Sequence, residues 1–333
     1  MSDPCSGGVV SGTTLDGGGT IAQCLNTFLS SGLTPAQATA ALIAGIDASS
    51  ANQYNQRTAG NPNLKPEIGD SYTLGIVLTP KFLPRFNASI DAFDIRVKKT
   101  ISSVGASFTL NQCVETANPF FCNRIVRSSD GSLFTGPSFV DNPTENLGSL
   151  RTRGIDINVN YRTPTLFGGP MYVSFDLVGT YLDKFVVEPI AGANGVGKYD
   201  CAGYFGDSCG TPNAKWRHKF RTTLAVNKVL SVSGAWRHFA SVKNDLDSKN
   251  ELIGTGPGSA LDAGVTEKIK AQNYFDLAAV AAFNKYTLRI GAQNILDRQP
   301  PVTPGYSNNA SNTFAQVYDA LGRYLYASVT LDF

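Results

Sequence analysis

Residues Ile155-Asp156-Ile157-Asn158-Val159-Asn160-Tyr161 alternate apolar and polar side chains without a break. Successive side chains of an extended strand leave opposite faces, so this segment presents one apolar face and one polar face. A helix repeats its faces about every 3.6 residues and would scramble the two sets. The same alternation returns in Phe86, Ala88 and Ile90 around Asn87 and Ser89, and in Met171, Val173, Phe175 and Leu177 around Ser174 and Asp176. It closes the chain, where Leu325, Ala327, Val329, Leu331 and Phe333 interleave with Tyr326, Ser328, Thr330 and Asp332. From about Asp70 onward nine such segments can be counted, near 69-79, 85-104, 145-163, 170-187, 214-226, 229-245, 268-283, 286-297 and 322-333. The fold class read from this pattern is all-β, an antiparallel up-and-down sheet with strands long enough to cross a membrane at a tilt.

The connections sharpen that reading. Short ones fall near Pro80 to Pro84, Thr163 to Pro170, Asn227-Lys228 and Asn284-Lys285. Long polar ones occupy Gly105 to Asn146, Glu188 to Asn213, Asp245 to Glu267 and Arg298 to Thr313. Short turns alternating with long loops are the signature of a transmembrane β-barrel with all its long loops on the extracellular side. An odd strand count leaves such a barrel unclosed, and an open edge in lipid strands unpaired backbone groups. The expectation is therefore that the strands completing the cylinder lie outside this chain.

Charge and cysteines bound the class further. With 28 Lys+Arg against 26 Asp+Glu, the net charge of +2 exerts no global pull on nucleic acid, so no nucleic-acid partner is expected. No apolar run approaches the roughly 20 residues of a spanning helix, and Met1-Ser2-Asp3-Pro4-Cys5 has no signal-peptide character. The six cysteines fall as local pairs, Cys5 with Cys24, Cys113 with Cys122 and Cys201 with Cys209. Nearest-neighbour disulfides in an extracytoplasmic compartment suit this spacing better than zinc, which wants tighter cysteine spacing and histidines nearby.

Thr34-Pro35-Ala36-Gln37 reads as a capping box with Pro at the first helical position, and predicts one short loop helix over Pro35 to Asp47. The domain reading is a loop region over 1-68 carrying that helix, then barrel strands over 69-333.

Several segments resemble those of TonB-dependent outer-membrane receptors. Gly60-Asn61-Pro62-Asn63-Leu64-Lys65-Pro66-Glu67, followed by Tyr72-Thr73-Leu74-Gly75, is the most specific. Thr152-Arg153-Gly154-Ile155-Asp156, Gln293-Asn294-Ile295-Leu296-Asp297, Tyr318-Asp319 with Gly322-Arg323, and a terminal aromatic, Phe333, follow in order. The resemblance implies the C-terminal part of a roughly 22-stranded barrel with a plugged lumen. It implies residence in the outer membrane of a Gram-negative bacterium, and uptake of a scarce nutrient such as a ferric siderophore. Its implied partners are outer-membrane lipid, the TonB complex acting through an N-terminal plug and box, and the barrel assembly machinery, which reads Phe333. It implies no cofactor and no resident metal.

Phase assigns the candidate site. With Leu224, Val226, Leu230 and Val232 facing lipid, Trp216, His218, Phe220, Trp236 and His238 share their face, provided a three-residue turn or bulge joins the two strands. The outward aromatics suit an interfacial girdle, whereas two histidines alone make a poor metal site. Arg217, Lys219, Arg221 and Arg237 then point into the lumen, where they attract an anionic ligand or are neutralised by carboxylates of a plug. Tyr204 and Phe205, between Cys201 and Cys209, either meet ligand at the mouth or pack their loop. No G-x-S-x-G, H-E-x-x-H or Walker A pattern is present, so catalysis has no support. The rival readings are a passive porin-like or adhesin barrel, and a secreted glycan-binding β protein.

Overall fold

The computed structural model describes residues 3–51, 53–192, 197–250, 252–253, 266–303 and 312–332. Phe333 lies outside the described residues, so the terminal-aromatic reading rests on sequence alone. Nine long strands form an antiparallel meander: β1 (Ile68–Leu78), β2 (Phe86–Ser102), β3 (Glu145–Arg162), β4 (Tyr172–Glu188), β5 (Trp216–Ala225), β6 (Leu230–Phe239), β7 (Gln272–Phe283), β8 (Tyr286–Gln293) and β9 (Tyr324–Leu331). Each strand pairs with its sequence neighbours, β1 and β9 close the order at its two ends, and Tyr199–Asp200 adds a short ladder to β4. The segments counted in the sequence are these strands.

Register fixes the faces. Directly paired residues of an antiparallel ladder share a face. Leu224 pairs with Val173 and Val232, Val232 with Ala279, Ala279 with Ile290 and Ile290 with Ala327, so one apolar stripe crosses six strands. Apolar side chains on this face are exposed: Ile290 is 50% exposed, Leu277 46% and Val329 68%. Exposed apolar area on this scale marks a face that another apolar medium covers. Among the described residues no helix is long and apolar enough to cross a membrane, which leaves crossing by strands untouched.

The turns obey their chemistry. Val226 N–H donates to Leu230 C=O at 2.9 Å around Asn227-Lys228-Val229, and Asn227 Oδ1 accepts from the amides of Val229 and Leu230 at 2.8 and 2.7 Å. This is the three-residue turn that the shared phase of β5 and β6 requires. Phe283 pairs with Tyr286 around Asn284-Lys285, with Asn284 in the left-handed region at φ 52° that Asn tolerates.

The chain divides into two compact units. One gathers Met1–Ile68, Val97–Ser149 and Glu188–Gly197. Its cores hold the Cys5–Cys24 and Cys113–Cys122 disulfides among Leu15, Phe28, Leu42, Leu110, Phe121 and Ile125. The predicted helix is present as Pro35–Ala44, with Thr34 and Gln37 completing the capping box. It is not the single loop helix: Ile21–Leu25, Ala106–Thr116 and Pro119–Cys122 are helical too. Ala106, Thr109, Leu110, Cys113 and Val114 form the buried stripe of the third helix, so a disulfide-stapled core stands where the sequence reading placed plain loops. Arg127 is buried there, donating to both carboxylate oxygens of Asp3 at 2.8 and 2.9 Å, to Thr27 Oγ1 at 2.8 Å and to Gly131 C=O at 2.8 Å. The Gly60–Glu67 segment is pinned in the same unit: Asn146 receives the Lys65 amide and donates to Lys65 C=O, both at 2.8 Å, and Glu67 Oε1 accepts from the Ile101 amide at 2.7 Å.

The second unit holds Gly69–Arg96, Leu150–Val187 and Lys198–Phe333. Its loop core packs Phe205 with Val242, Ile269, Phe314 and Tyr318, and the Cys201–Cys209 disulfide lies beside Ile253. The Asn294 turn after β8 is built from its own side chain, which exchanges hydrogen bonds with the Arg298 backbone at 2.9 Å, and Asp297 accepts from the Arg323 amide at 2.8 Å. Two of the family-like segments are therefore physically tied to each other.

Candidate functional site

The polar face of β4, β5 and β6 carries the basic residues. Arg217, Lys219 and Arg221 pair with Thr180, Val178 and Asp176 on β4 and with Phe239, Arg237 and Ala235 on β6, so all four cations share one face. Register places His218 opposite His238 and Phe220 opposite Trp236 on the other face, as the phase predicted.

The four cations divide by partner. Arg237 donates to both oxygens of Asp276 at 2.9 Å and to both oxygens of Asp319 at 2.8 and 2.6 Å, with its guanidinium 5.0 Å from the Tyr274 ring centre. It is a clamp between strand and loop, neutralised within its own chain, and is unavailable to an anion. Arg221 donates to Ser233 Oγ at 2.9 Å and stands opposite Asp176 in register. Arg217 and Lys219 are exposed, and among the described residues neither forms an ion pair. Lys219 additionally faces Arg237 directly across the ladder. Like charges so placed raise the local positive potential.

Arg217 borders a cavity of about 540 Å³. Phe93, Phe185 and Phe239 supply its apolar wall, while Thr152, Thr180 and Gln316 offer hydrogen-bonding groups. Its roof is the stretch Thr211–Ala214, set by Gly203 N–H donating to Asn213 C=O at 2.7 Å and by Asn213 Nδ2 donating to Cys209 C=O at 3.1 Å. A smaller recess of about 280 Å³ adjoins Lys219, Arg237 and Val178. A cation, aromatic faces and a few polar groups in a chamber of this size suit an anionic ligand with flat or aromatic parts.

Sequence reasoning missed Phe93 and Phe239. The available signal was phase: on β2 the apolar residues Phe86, Ala88 and Ile90 share one parity, and Phe93 sits on the other, following the polar Asn87, Ser89 and Asp91. For Tyr204 and Phe205 the sequence left two readings, ligand contact or loop packing. Phe205 is fully buried against Val242, Ile269 and Phe314, so its ring packs the loop. Tyr204 is half-buried and packs beside the Cys201–Cys209 core. The same loop is anchored by Asp245, whose Oδ2 accepts from the Ser208 and Cys209 amides at 2.8 and 2.9 Å, and whose carboxyl is pushed above its ordinary range, chiefly by burial.

On the apolar face, Trp216 Nε1 donates to His218 Nδ1 at 2.9 Å, and Asn273 Oδ1 accepts from Trp236 Nε1 at 2.9 Å with His238 Nδ1 at 2.8 Å. The two imidazoles stack at 5.2 Å, and Gly179 leaves the space that the Trp216 ring fills, because a Cβ there would stand 2.7 Å from it. Both indole N–H groups and both imidazole Nδ1 atoms are thus partnered beside a row of stacked rings, Tyr161 on Phe175 on Phe220 and Trp236 on Phe275. Among the described residues no group of three or more His, Cys, Asp or Glu side chains is placed to hold a metal ion.

Residues 28–295 match the family model of the TonB dependent receptor-like β-barrel. The chain belongs to that family. A mutant of the ferric enterobactin receptor PfeA of Pseudomonas aeruginosa is similar at 14% identity and TM-score 0.51, over 83% of this chain and 32% of that one. A second PfeA mutant, solved in complex with enterobactin, matches at 15% identity and TM-score 0.51 over 83% and 33% of the two chains. The siderophore receptor PirA of Acinetobacter baumannii matches at 20% identity and TM-score 0.48 over 83% and 33%. At these identities the likeness concerns the fold. The chain spans about a third of the length of these structures. No curated protein sequence matches it. In a barrel of this family the apolar face meets lipid and the polar face lines the lumen.

Proposed function

We propose that this chain supplies part of the barrel of an energy-coupled receptor in a Gram-negative outer membrane, taking up an anionic chelate of the ferric-siderophore kind. The observation that carries this reading is the pair of unpartnered lumenal cations, Arg217 and Lys219, beside a cavity walled by phenylalanines. Cations left unneutralised on a lumenal wall cost self-repulsion, which an incoming anion relieves. Tyr204 belongs to the loop that positions the roof and serves the site through Asn213 rather than by ligand contact. Coupling to TonB goes through a plug, and insertion uses the barrel assembly machinery. The experiment is uptake of radiolabelled ferric enterobactin by cells producing the receptor, with and without dissipation of the proton gradient. Energy-dependent uptake that falls in an Arg217→Gln/Lys219→Gln variant supports the reading. Uptake indifferent to the gradient would identify a passive pore instead.

A further inference from the structure

The two ends of the sheet treat charge differently. Toward the long loops the outward cations are answered within the chain: Arg151 donates to Asp94 at 2.9 Å, and Arg153 Nε to Asp183 at 2.6 Å. The opposite end is formed by the four short connections, at 79–85, 163–171, 226–229 and 284–285, which the meander gathers on one side. They contain Lys81, Arg85, Lys228 and Lys285, and no Asp or Glu. Lys81, Lys228 and Lys285 are exposed, and among the described residues none of the three forms an ion pair. Asp332 follows β9 at this end, where its amide donates to Lys285 C=O at 2.9 Å, and it offsets at most one of the four charges.

Two of these turns also expose aromatic rings, Phe82 at 88% and Phe167 at 92%. The turns adjoin: Arg85 Nη1 donates to Thr163 C=O at 2.9 Å, and the Arg162 amide to Arg85 C=O at 3.2 Å. Phe167 and Gly168 form the tip of a tight turn, closed by the Gly169 amide donating to Leu166 C=O at 3.0 Å. Both tip residues lie in the left-handed region, at φ 54° and 69°. Gly adopts that conformation freely and Asn tolerates it, but an aromatic residue adopts it at a cost. The ring stands in the open, so packing within the chain does not offset that cost, and its use lies outside the chain. Just inside the turns, on the outward face, Phe283 pairs with Tyr286, and Phe86 opens β2. Such a belt marks the membrane interface. At roughly 3.3 Å per residue, the turns fall in the headgroup layer immediately beyond it.

We infer that the short-turn end is a docking rim for the anionic phospholipid headgroups of the adjoining leaflet, with the lysines on the phosphates and Phe82 and Phe167 seated in the interface beside them. Each unpaired cation held near an anionic lipid surface is attracted to it, whereas zwitterionic headgroups bring no net charge to answer it. Exposed rings next to exposed lysines are the composition that partitions into an interface, the ring meeting the acyl boundary and the ammonium the phosphate. An acidic protein would also answer the lysines, but headgroups already lie level with them. The inference rests on the membrane reading of the sheet and not on the lumenal cations, so it holds or fails apart from uptake.

The test places the receptor carrying this chain in nanodiscs of phosphatidylcholine, alone or with an equal share of phosphatidylglycerol. Acylation of each lysine by a neutral amine reagent is then read by peptide mass spectrometry. A lysine held against phosphate keeps its proton and reacts slowly. Phosphatidylglycerol should slow Lys81, Lys228 and Lys285 at least about threefold at low salt, and high salt should restore most of the rate. Lys249, exposed in a long connection at the other end, should change by less than about twofold. Phe82→Ser/Phe167→Asn should remove about half of the slowing at Lys81 and leave Lys285, whose turn carries neither ring, as it was. Unchanged β-sheet circular dichroism would establish that the variant is folded. Equal rates in the two lipids overturn the proposal and leave the rim to an acidic protein. Slowing of Lys249 to the same degree also overturns it, since the general charge of the disc would then explain the effect. Undiminished slowing at Lys81 in the folded variant overturns the role given to the rings.

Discussion

Arg237 and Asp319, 82 residues apart in sequence, form a two-pronged ion pair at 2.8 and 2.6 Å that fastens the loop before β9 to the lumenal face of β6. Both side chains are less than a third exposed, so solvent screens the pair only in part. Replacing Asp319 by Ala leaves Arg237 still satisfied by Asp276, and should cost the loop about 1–2 kcal/mol. Arg237→Gln strands two carboxylates and should cost more, about 2–4 kcal/mol. Hydrogen exchange at Val317 and Tyr318, whose amides donate to Phe314 C=O, reads the difference directly.

The Asp3–Arg127 pair is fully buried, and removal of one partner leaves an uncompensated charge in the core. Arg127→Met should destabilise the unit containing it by about 3–5 kcal/mol. The double variant Asp3→Ala/Arg127→Met should lose less than the sum of the single losses, because neither charge is then left alone. Urea unfolding of the four proteins provides the cycle.

Asp245 gives the Cys201–Cys209 loop a pH dependence whose sign is set by burial. A carboxyl whose folded pKa is raised holds its proton more firmly in the folded state. Its contribution is fully present below the ordinary carboxylate range, near pH 4, and is lost as pH rises through the raised value. The Ser208 and Cys209 amides should therefore be best protected in acid, after correction for the intrinsic exchange rate. Asp245→Asn should flatten that dependence.

Arg217→Gln and Lys219→Gln should each weaken binding of the proposed anionic ferric chelate severalfold at low salt, and together by about tenfold or more. The deficit should shrink as ionic strength shortens the reach of the charges. Arg221→Gln should matter less, since its guanidinium is occupied by Ser233. Titration calorimetry at two salt concentrations checks both statements.

The sheet was legible because each strand separates two solvents. Ala279 and Ile290 pair on one face while Val280 and Arg289 pair on the other, and that contrast is written in alternate residues. The three-residue turn at Asn227 followed from keeping Trp216 and Trp236 in one phase, and the capping box at Thr34 announced its helix. The helix Ala106–Thr116 carried its buried stripe at helical spacing, yet its Asn, Gln and Cys content sits among loop-like neighbours that hid the period. The partners of Arg237 were not legible at all, since Asp276 and Asp319 lie 39 and 82 residues away and only strand register and loop packing bring them together. Sequence left Phe205 open between ligand contact and loop packing, because the Val242, Ile269 and Phe314 that bury it are brought together only by the fold.

In a membrane barrel alternate side chains of one strand meet lipid and water, and β7 and its pairing with β8 provide the cleanest test. All six native cysteines are in disulfides, so a single cysteine introduced at each position from Leu277 to Ala282 can be spin-labelled specifically. In lipid bilayers, labels at 277, 279 and 281 should collide with dissolved oxygen and be shielded from a water-soluble nickel chelate, and labels at 278, 280 and 282 should do the reverse. Uniform shielding from both, as in a dry core between two sheets, would contradict the membrane-barrel reading.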